Sequence, residues 1–509
     1  MRVSGQSGGR GSPRPLAELA AGFASVPADV MVSDVTLDSR AATPGALFLA
    51  CRGRTHHGLS FATQAVARGA RAVLYERGAG APPAPPLGAD TFVAEVAGLT
   101  ERAGLIADRF FGSPSQQLTV AGITGTNGKT TCAWLLAQAL QYAARPAGYV
   151  GTLGVGIPPQ LTPTLHTTSD AVTVQRQLAA LRAQGAACVS MEVSSHALEQ
   201  ARVNGVRFHT AAFTNLTRDH LDYHGTMQAY GAAKARLFTW PGLTHRIINI
   251  DDAFGTALAA QDSPARLIVT ARAASEALLP RAAQFVRATC VTADPGGLLV
   301  EVESSFGRAE LPLRLMGDFN VDNALTVLAV LLAWDIPLQE AARALAQCRP
   351  ASGRMEVFGG RGRTPLVIVD YAHTPDALAK ALRAARLHCR GLLRVVFGCG
   401  GDRDAGKRAL MGQIAAELAD DIILTDDNPR TEDPARIIAA IAAGIAKRAP
   451  LLIEHDRARA IHLSLQRSGL DDVVLIAGKG HEDYQIHGTT RRAFRDQAIV
   501  GEELARLPA

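Results

Sequence analysis

The stretch "AGITGTNGKTTCAW", Ala121 to Trp134, limits what this chain can fold into more than any other part of it. A short apolar run, Leu118 to Ile123, leads into glycine and threonine. Gly128-Lys129-Thr130-Thr131 follows, and then an apolar helical pattern. A strand, a glycine-rich turn and a helix opening on lysine make an anion site, because backbone N–H groups and the helix N-terminus face the contents of the turn. Lys129 would reach the β and γ oxygens of a nucleotide, and Thr130 would offer a hydroxyl to Mg2+. The usual spacing wants a glycine where Ile123 stands, and Gly122 and Gly125 flank that position. A glycine turn without a ligand is the bland alternative. The order strand, loop, helix weighs against it.

Such a loop belongs to a parallel sheet, and its surroundings have that rhythm. "QLTVAGITG", "AACVSMEVS", "HTAAFTN" and "RIINID" read as strands alternating with helical stretches. Apolar helices are expected from Ala324 to Trp334 and around Leu338 to Leu345. "CRPASGRMEV", Cys348 to Val357, reads as a linker. Beyond it "PLVIVD", "LLRVVFG", "DIILTDD" and "DVVLIAGKG" read as strands of a second doubly wound unit. Upstream, "VSDVTLDSR", "GALFLACRG", "ARAVLYER" and "TFVAEV" read as short strands, and residues 80–88 as a stiff surface loop. Residues 1–14 read as a disordered lead-in. The expectation is an α/β protein of three domains, 15–117, 118–349 and 350–509, with no internal repeat.

Composition narrows the function classes. A formal charge of +5 over 509 residues, with no dense basic run, gives no argument for nucleic acid. Seven scattered cysteines without a CxxC pair suit a reduced compartment without structural zinc. The N-terminus lacks the apolar core of a signal peptide, and Ala324 to Trp334 is too short to cross a bilayer of roughly 30 Å. These features point to a soluble cytoplasmic protein.

In open α/β sheets ligands sit beyond the carboxyl ends of the strands, and the unusual residues cluster there. "CVSMEVSSHALEQARV" ends an apolar strand at Glu192, a place for a magnesium ligand, with Ser194, Ser195 and His196 behind it. "FTNLTRDHLDYHGTMQAY" gathers Asp219, His220, Asp222 and His224. A polar loop capping the next helix is the alternative there. Lys234, taken alone, reads as a solvated helix lysine. The last third places Asp370, Tyr371 and His373, then Arg403 and Lys407, then Asp427, Asn428 and Arg430, then Lys479, His481 and Glu482 at successive strand ends. Groups of this kind orient charged substrates. No Ser/His/Asp or Cys/His nucleophile arrangement is evident.

"GITGTNGKTT", "MEVSSHALEQ", "FTNLTRDHLDYHGTMQAY", "GDFNVDNAL", "DYAHTPDAL", "GCGGDRDAGKR", "DDNPR" and "AGKGHEDYQ", in that order, resemble the Mur ligases over nearly the whole chain. The resemblance implies a UDP-binding N-terminal domain, a central P-loop ATPase and a C-terminal Rossmann-like domain. It implies amide formation through an acyl phosphate. The substrates would be ATP, UDP-MurNAc-L-Ala-D-Glu and an amino acid, and the enzyme a monomer needing no nucleic acid and no membrane. Gly125, Thr126, Asn127, Gly128, Lys129, Thr130 and Thr131 would bind the ATP phosphates, with Asn323, Arg354 and Asp370 on the rest of the nucleotide. Thr130, Glu192 and His220 would hold magnesium, two ions in all, and Lys234 would serve as a CO2-derived carbamate. Lys129, Glu192, His220 and Lys234 form the implied catalytic set. Leu37, Ser39, Arg54, Thr55 and His56 would meet the UDP-sugar, and His166, Thr167, Thr168, Ser194, Gln200 and Arg202 the muramoyl peptide.

The incoming amino acid turns on "DDNPR". Diaminopimelate carries a distal carboxylate that lysine lacks, and a planar guanidinium fork suits it. Arg430, seconded by Arg403, fills that need, and the resemblance adds Asp427, Asn428, Pro429, Gly478 and Glu482. Meso-diaminopimelate is expected over L-lysine. The competing readings are a lysine-adding relative, a folylpolyglutamate synthase or peptide-recycling ligase, a P-loop kinase or nucleic-acid-dependent ATPase, and an inactive nucleotide-sugar binder.

Overall fold

The structure is a computed structural model describing residues 12–53, 56–78, 81–83, 85–272, 284–294, 296–360, 363–445 and 451–507. The chain divides into two compact units, one of residues 1–285 with 329–335 and one of 286–328 with 336–509. The helix Phe319–Ala333 runs through both assignments.

The first unit begins with a parallel sheet in the order Asp34–Thr36, Ala46–Ala50, Ala72–Tyr75, Phe92–Glu95. "ALFLA" is apolar throughout because both faces are covered. Leu47 and Leu49 pack with Leu99, Ile106 and Phe110, while Phe48 and Ala50 pack with Leu59, Ala65 and Val73. Most of the expected lead-in lies outside the described residues, but Arg14 pairs with Val32 in a short ribbon. Of the loop 80–88, residues 80 and 84 lie outside the description.

The second sheet of this unit places Thr119–Thr124 between Cys188–Glu192 and Thr210–Phe213, all parallel. Ala147–Gly151 extends it on one side, and His245–Asn249 and Arg266–Ala271 on the other. Register decides what lies at the carboxyl edge. Glu192 is level with Ile123, and Phe213 with Thr124. The loop after Thr124, the carboxylate and the segment after Phe213 therefore converge.

The second unit holds an antiparallel meander through Gly297–Ser304 and Gly307–Leu313. Its main sheet has the order Glu356–Gly359, Leu366–Asp370, Val473–Ala477, Leu393–Phe397, Asp421–Leu424, Leu451–Ile453, parallel except for the first strand. One face packs Ile368, Val395, Ile422 and Leu475, the other Val367, Val396, Ile423 and Val474. The segment expected as a linker is part of this fold. Ala351 and Met355 are buried, and the Met355 N–H donates to Asp370 Oδ2 at 2.8 Å. Its run of small and polar residues serves close packing. Gly353, at φ +65°, would drive a Cβ to 2.1 Å from the Gly480–His481 backbone.

Candidate functional site

Gly125 (φ +150°) and Gly128 (φ +85°) give the loop a course that L side chains rarely take. A Cβ on Gly125 would lie 1.9 Å from Thr214 Oγ1. The neighbouring segment closes on the loop like a zipper. Thr126 N–H donates to Asn215 O at 2.8 Å, Asn127 N–H to Asn215 Oδ1 at 3.0 Å, and Thr214 Oγ1 to Asn127 O at 2.6 Å. Lys129 opens the helix Lys129–Tyr142, and its Nζ folds back onto Gly125 O and Thr126 O, both at 2.9 Å.

Behind the loop, Glu192 is fully buried and fully engaged. Thr130 Oγ1 donates to its Oε2 at 2.8 Å, while Tyr149 OH at 2.6 Å and Thr152 N–H at 2.8 Å donate to Oε1. Hydroxyl and carboxylate oxygens at the head of a phosphate loop fit magnesium, which takes one or two carboxylates and leaves positions for phosphate and water. Among the described residues no three His, Cys, Asp or Glu side chains group to hold a metal ion. The donor set here is a hydroxyl, a carboxylate and a lysine.

That lysine overturns the reading of a solvated helix residue. Lys234 is 1% exposed, and its Nζ donates to Gly125 O at 2.7 Å, the same carbonyl that Lys129 reaches. Burial, then the neighbouring Lys129 charge, brings its amine down to about 6. His220, at φ +53°, is half exposed beside Asp219 and stacks edge-on with His196 at 4.9 Å.

Five of the six residues expected at the muramoyl peptide share one network. Thr167 Oγ1 lies 3.0 Å from Thr152 Oγ1, and Thr168 Oγ1 donates to Glu192 O at 2.9 Å. Ser194 N–H donates to Thr168 Oγ1 at 3.2 Å, and Arg202 spans Thr168 O and Gln200 Oε1. His166 is exposed beside the nearly bare Leu165. In the N-terminal sheet Ser39 Oγ donates to Gln64 Oε1 at 2.6 Å, Leu37 is half-buried, and His56 meets Phe61 edge-on. Arg54 and Thr55 lie outside the described residues.

The remaining nucleotide candidates are in the second unit. Asp370 accepts from Met355 N–H and Ala372 N–H, and burial raises its carboxyl against the opposing pull of Arg354. Arg354 lies over the Tyr371 ring at 5.0 Å, and Asn323 bonds Asn320 on its own helix. At the neighbouring strand ends Arg430, at φ +52°, is locked by Arg430 N–H to Ile486 O at 3.0 Å, and its Nη1 donates to Gly401 O at 2.8 Å. Asn428 Nδ2 donates to Glu482 Oε2 at 2.8 Å. A Cβ on Gly478 would come within 2.6 Å of Asp427 Oδ2, and burial raises the Asp427 carboxyl against Arg457 and Lys479. Arg403 is exposed on the Gly400–Gly401 loop.

Sequence reasoning missed several partners. Asn215 and Thr214 lay inside a motif that drew attention only for its acids and histidines, whereas Tyr149 and Thr152 carried no signal. A Ser–His–Glu chain is present after all, with Ser195 Oγ 3.0 Å from His224 Nε2 and His224 Nδ1 3.1 Å from Glu199. Its serine and histidine side chains are buried, so it ties the short helix Leu221–His224 to the helix Ser195–Glu199 and offers no open nucleophile.

The family described as Mur ligase middle domain matches residues 123–331, Mur ligase, glutamate ligase domain matches 353–480, and Mur ligase family, catalytic domain matches 32–97. A protein from Xanthomonas campestris pv. campestris named UDP-N-acetylmuramoyl-L-alanyl-D-glutamate–2,6-diaminopimelate ligase is 48% identical over 94% of each chain. One of the same name from Pseudomonas aeruginosa is 46% identical over 93% of this chain and 95% of its own. A solved structure so named is 34% identical, with a TM-score of 0.72 over 97% of this chain and 99% of that one.

Proposed function

The chain belongs to the Mur ligase family, and from that premise we propose that it joins meso-2,6-diaminopimelate to the D-Glu γ-carboxylate of UDP-MurNAc-L-Ala-D-Glu. The family uses ATP, and the reaction is an ATP-dependent amide ligation in peptidoglycan precursor synthesis. ATP transfers its γ-phosphoryl group to the carboxylate, releasing ADP. The amine then attacks the acyl phosphate, and phosphate leaves as the amide forms. We place the reaction in the cytoplasm; no helix among the described residues is long and apolar enough to cross a membrane. The division into domains 15–117, 118–349 and 350–509 is proposed with it.

One observation supports the chemistry best: Lys129, Lys234 and the Thr130–Glu192 pair all converge on the Gly125 turn. Thr130 and Glu192 would hold magnesium, with His220 and a carbamylated Lys234 at a second ion, and bound magnesium neutralises phosphate charge. Lys129 would leave the Gly125 and Thr126 carbonyls for the β and γ oxygens. Asn215 and Thr214 fix the course of the loop by holding Thr126 N–H, Asn127 N–H and Asn127 O, and the N–H groups at the start of the Lys129–Tyr142 helix would then face the phosphates. Thr168, Gln200 and Arg202 would hold the peptide carboxylate beside them, so that nucleophile and phosphoryl group meet with little loss of freedom.

The test is ADP release by the purified protein with UDP-MurNAc-L-Ala-D-Glu, ATP and Mg2+, comparing meso-diaminopimelate with L-lysine. Turnover with diaminopimelate alone is expected. Equal use of lysine would overturn the specificity, and silence with both would overturn the reaction.

Two further outcomes follow from the geometry. Glu192→Gln turns an amide N–H2 toward either Thr130 or Tyr149 and removes a charge, so kcat should fall about a hundredfold, the scale of one lost electrostatic contact. A kcat within twofold of wild type would remove Glu192 from the metal set. The Lys234 amine is uncharged above about pH 6 and protonated below it. Only the uncharged amine adds CO2, so activation by bicarbonate should be present at pH 8 and lost as pH falls through 6. A bicarbonate response that is flat across that range would exclude the carbamate.

A further inference from the structure

Gly478 follows strand Val473–Ala477, and the next residue, Lys479, turns its whole side chain into the protein, leaving it 0% exposed. A buried ammonium persists only where acceptors replace its water. Lys479 Nζ donates to Asn428 Oδ1 at 3.2 Å and to Glu482 Oε2 at 3.1 Å, and stands 5.5 Å from the Tyr484 ring centroid. Asn428 Oδ1 also accepts the Ile486 N–H at 3.0 Å, and Asn428 Nδ2 donates to the same Glu482 oxygen at 2.8 Å. These partners fix which way the asparagine amide faces. Glu482 Oε2 is taken twice by protein donors, whereas Oε1 accepts no hydrogen bond from the described residues.

Resting on the reading of Asn428, Arg430 and Glu482 as amino-acid contacts, we propose that Lys479 is a positioning residue that sets amino-acid selectivity. It pins the Asn428–Glu482 pair, leaves one carboxylate oxygen for one substrate ammonium, and disfavours a substrate of net positive charge. Below this cluster the Arg457 cation is already balanced by Asp496, at 2.7 Å with both side chains fully buried. Lys479 therefore offsets the Glu482 charge, so that the cluster offers no surplus negative charge to a substrate of net positive charge. Meso-diaminopimelate has two ammonium and two carboxylate groups and no net charge. L-lysine, lacking one carboxylate, carries +1. In a site screened from water that difference is felt more strongly than in solution.

The test uses the full-length enzyme and two variants. Lys479→Met keeps the length and removes the charge and the donors. Lys479→Gln is neutral but keeps donors for Asn428 and Glu482. For Lys479→Met the KM for diaminopimelate should rise about tenfold or more with the KM for ATP unchanged, since truncating a buried charged partner unpairs its neighbours. The ratio of kcat/KM for L-lysine to that for diaminopimelate should rise about tenfold. Lys479→Gln should recover part of the KM while keeping the raised ratio. An unchanged diaminopimelate KM and ratio would overturn the proposal, as would KM values for ATP and diaminopimelate rising together. If the methionine variant shows no cooperative melt, the glutamine variant decides, and a wild-type ratio there sinks the idea. Absence of diaminopimelate turnover by the wild-type enzyme would instead overturn the reading on which this proposal rests.

Discussion

Lys129→Ala is expected to lower kcat by about a thousandfold or more, roughly 4 kcal/mol of transition-state stabilisation. Its Nζ is held by two carbonyls of the turn it serves, Gly125 and Thr126. The cation is therefore stationed beside the phosphate position before ATP arrives, and little reorganisation opposes its transfer to the β and γ oxygens. Alanine removes that charge without disturbing the helix start, because Gly128 carries the unusual backbone angle. Lys129→Arg should fail nearly as badly, since the longer planar head cannot fold back between the same two carbonyls. The variant should melt within a few degrees of wild type, so a large loss of stability would mean that the lysine is chiefly structural. A kcat within tenfold of wild type, measured by ADP release with all substrates saturating, would remove Lys129 from phosphoryl transfer. The Lys129 charge also depresses Lys234. Its removal should accordingly shift the low-pH limb of bicarbonate activation upward.

The strands were legible because most are covered on both faces. Runs such as "ALFLA", "LVIVD" and "VVLIA" have no solvent face to interrupt them, so unbroken β-branched and aliphatic residues mark them. The glycine loop was legible for a different reason: few residues tolerate φ near +85° or +150°, and the chain spells those positions with glycine. The partners of the site residues were not legible, since they depend on register and on loop reversals. Glu192 meets Thr130 because two parallel strands are aligned with Glu192 opposite Ile123, an alignment no local pattern states. Ser195 meets His224 only because His220 turns the chain through a left-handed conformation. Lys234 looked like an exposed helix lysine because its neighbours are small. Gly231, where a Cβ would come to 2.6 Å from the Phe254 ring, and the alanines beside it let the helix Met227–Ala235 pack tightly, and the Lys234 side chain is buried there. Cys348 to Val357 misled in the same manner, its small residues serving contact with the Gly480 turn.

Arg430→Ala should reduce kcat/KM for meso-diaminopimelate by about a thousandfold while the KM for ATP moves less than about twofold, the cost of leaving a desolvated carboxylate without its cation. The residue is built for a single orientation. Its backbone sits at φ +52°, Arg430 N–H donates to Ile486 O, and Gly488 N–H donates to Arg430 O at 2.6 Å. One arm of the guanidinium is spent on Gly401 O at 2.8 Å, and a Cβ on Gly400 would reach to 2.8 Å from that same nitrogen. The glycine pair thus makes room for the head group, and the carbonyl sets the plane in which the rest of the fork lies. Arg430→Lys tests the fork separately from the charge. A lysine ammonium can hold the Gly401 carbonyl or a substrate carboxylate as a point charge, but it offers no planar bidentate edge. It should recover only part of the loss, about tenfold of the thousand. Full recovery by lysine would show that charge alone suffices. Neither variant should gain activity with L-lysine, because lysine lacks the distal carboxylate that Arg430 would hold and losing the guanidinium supplies no new contact for it. A gain there would move carboxylate recognition away from Arg430 and toward Arg403, the exposed arginine on the facing loop.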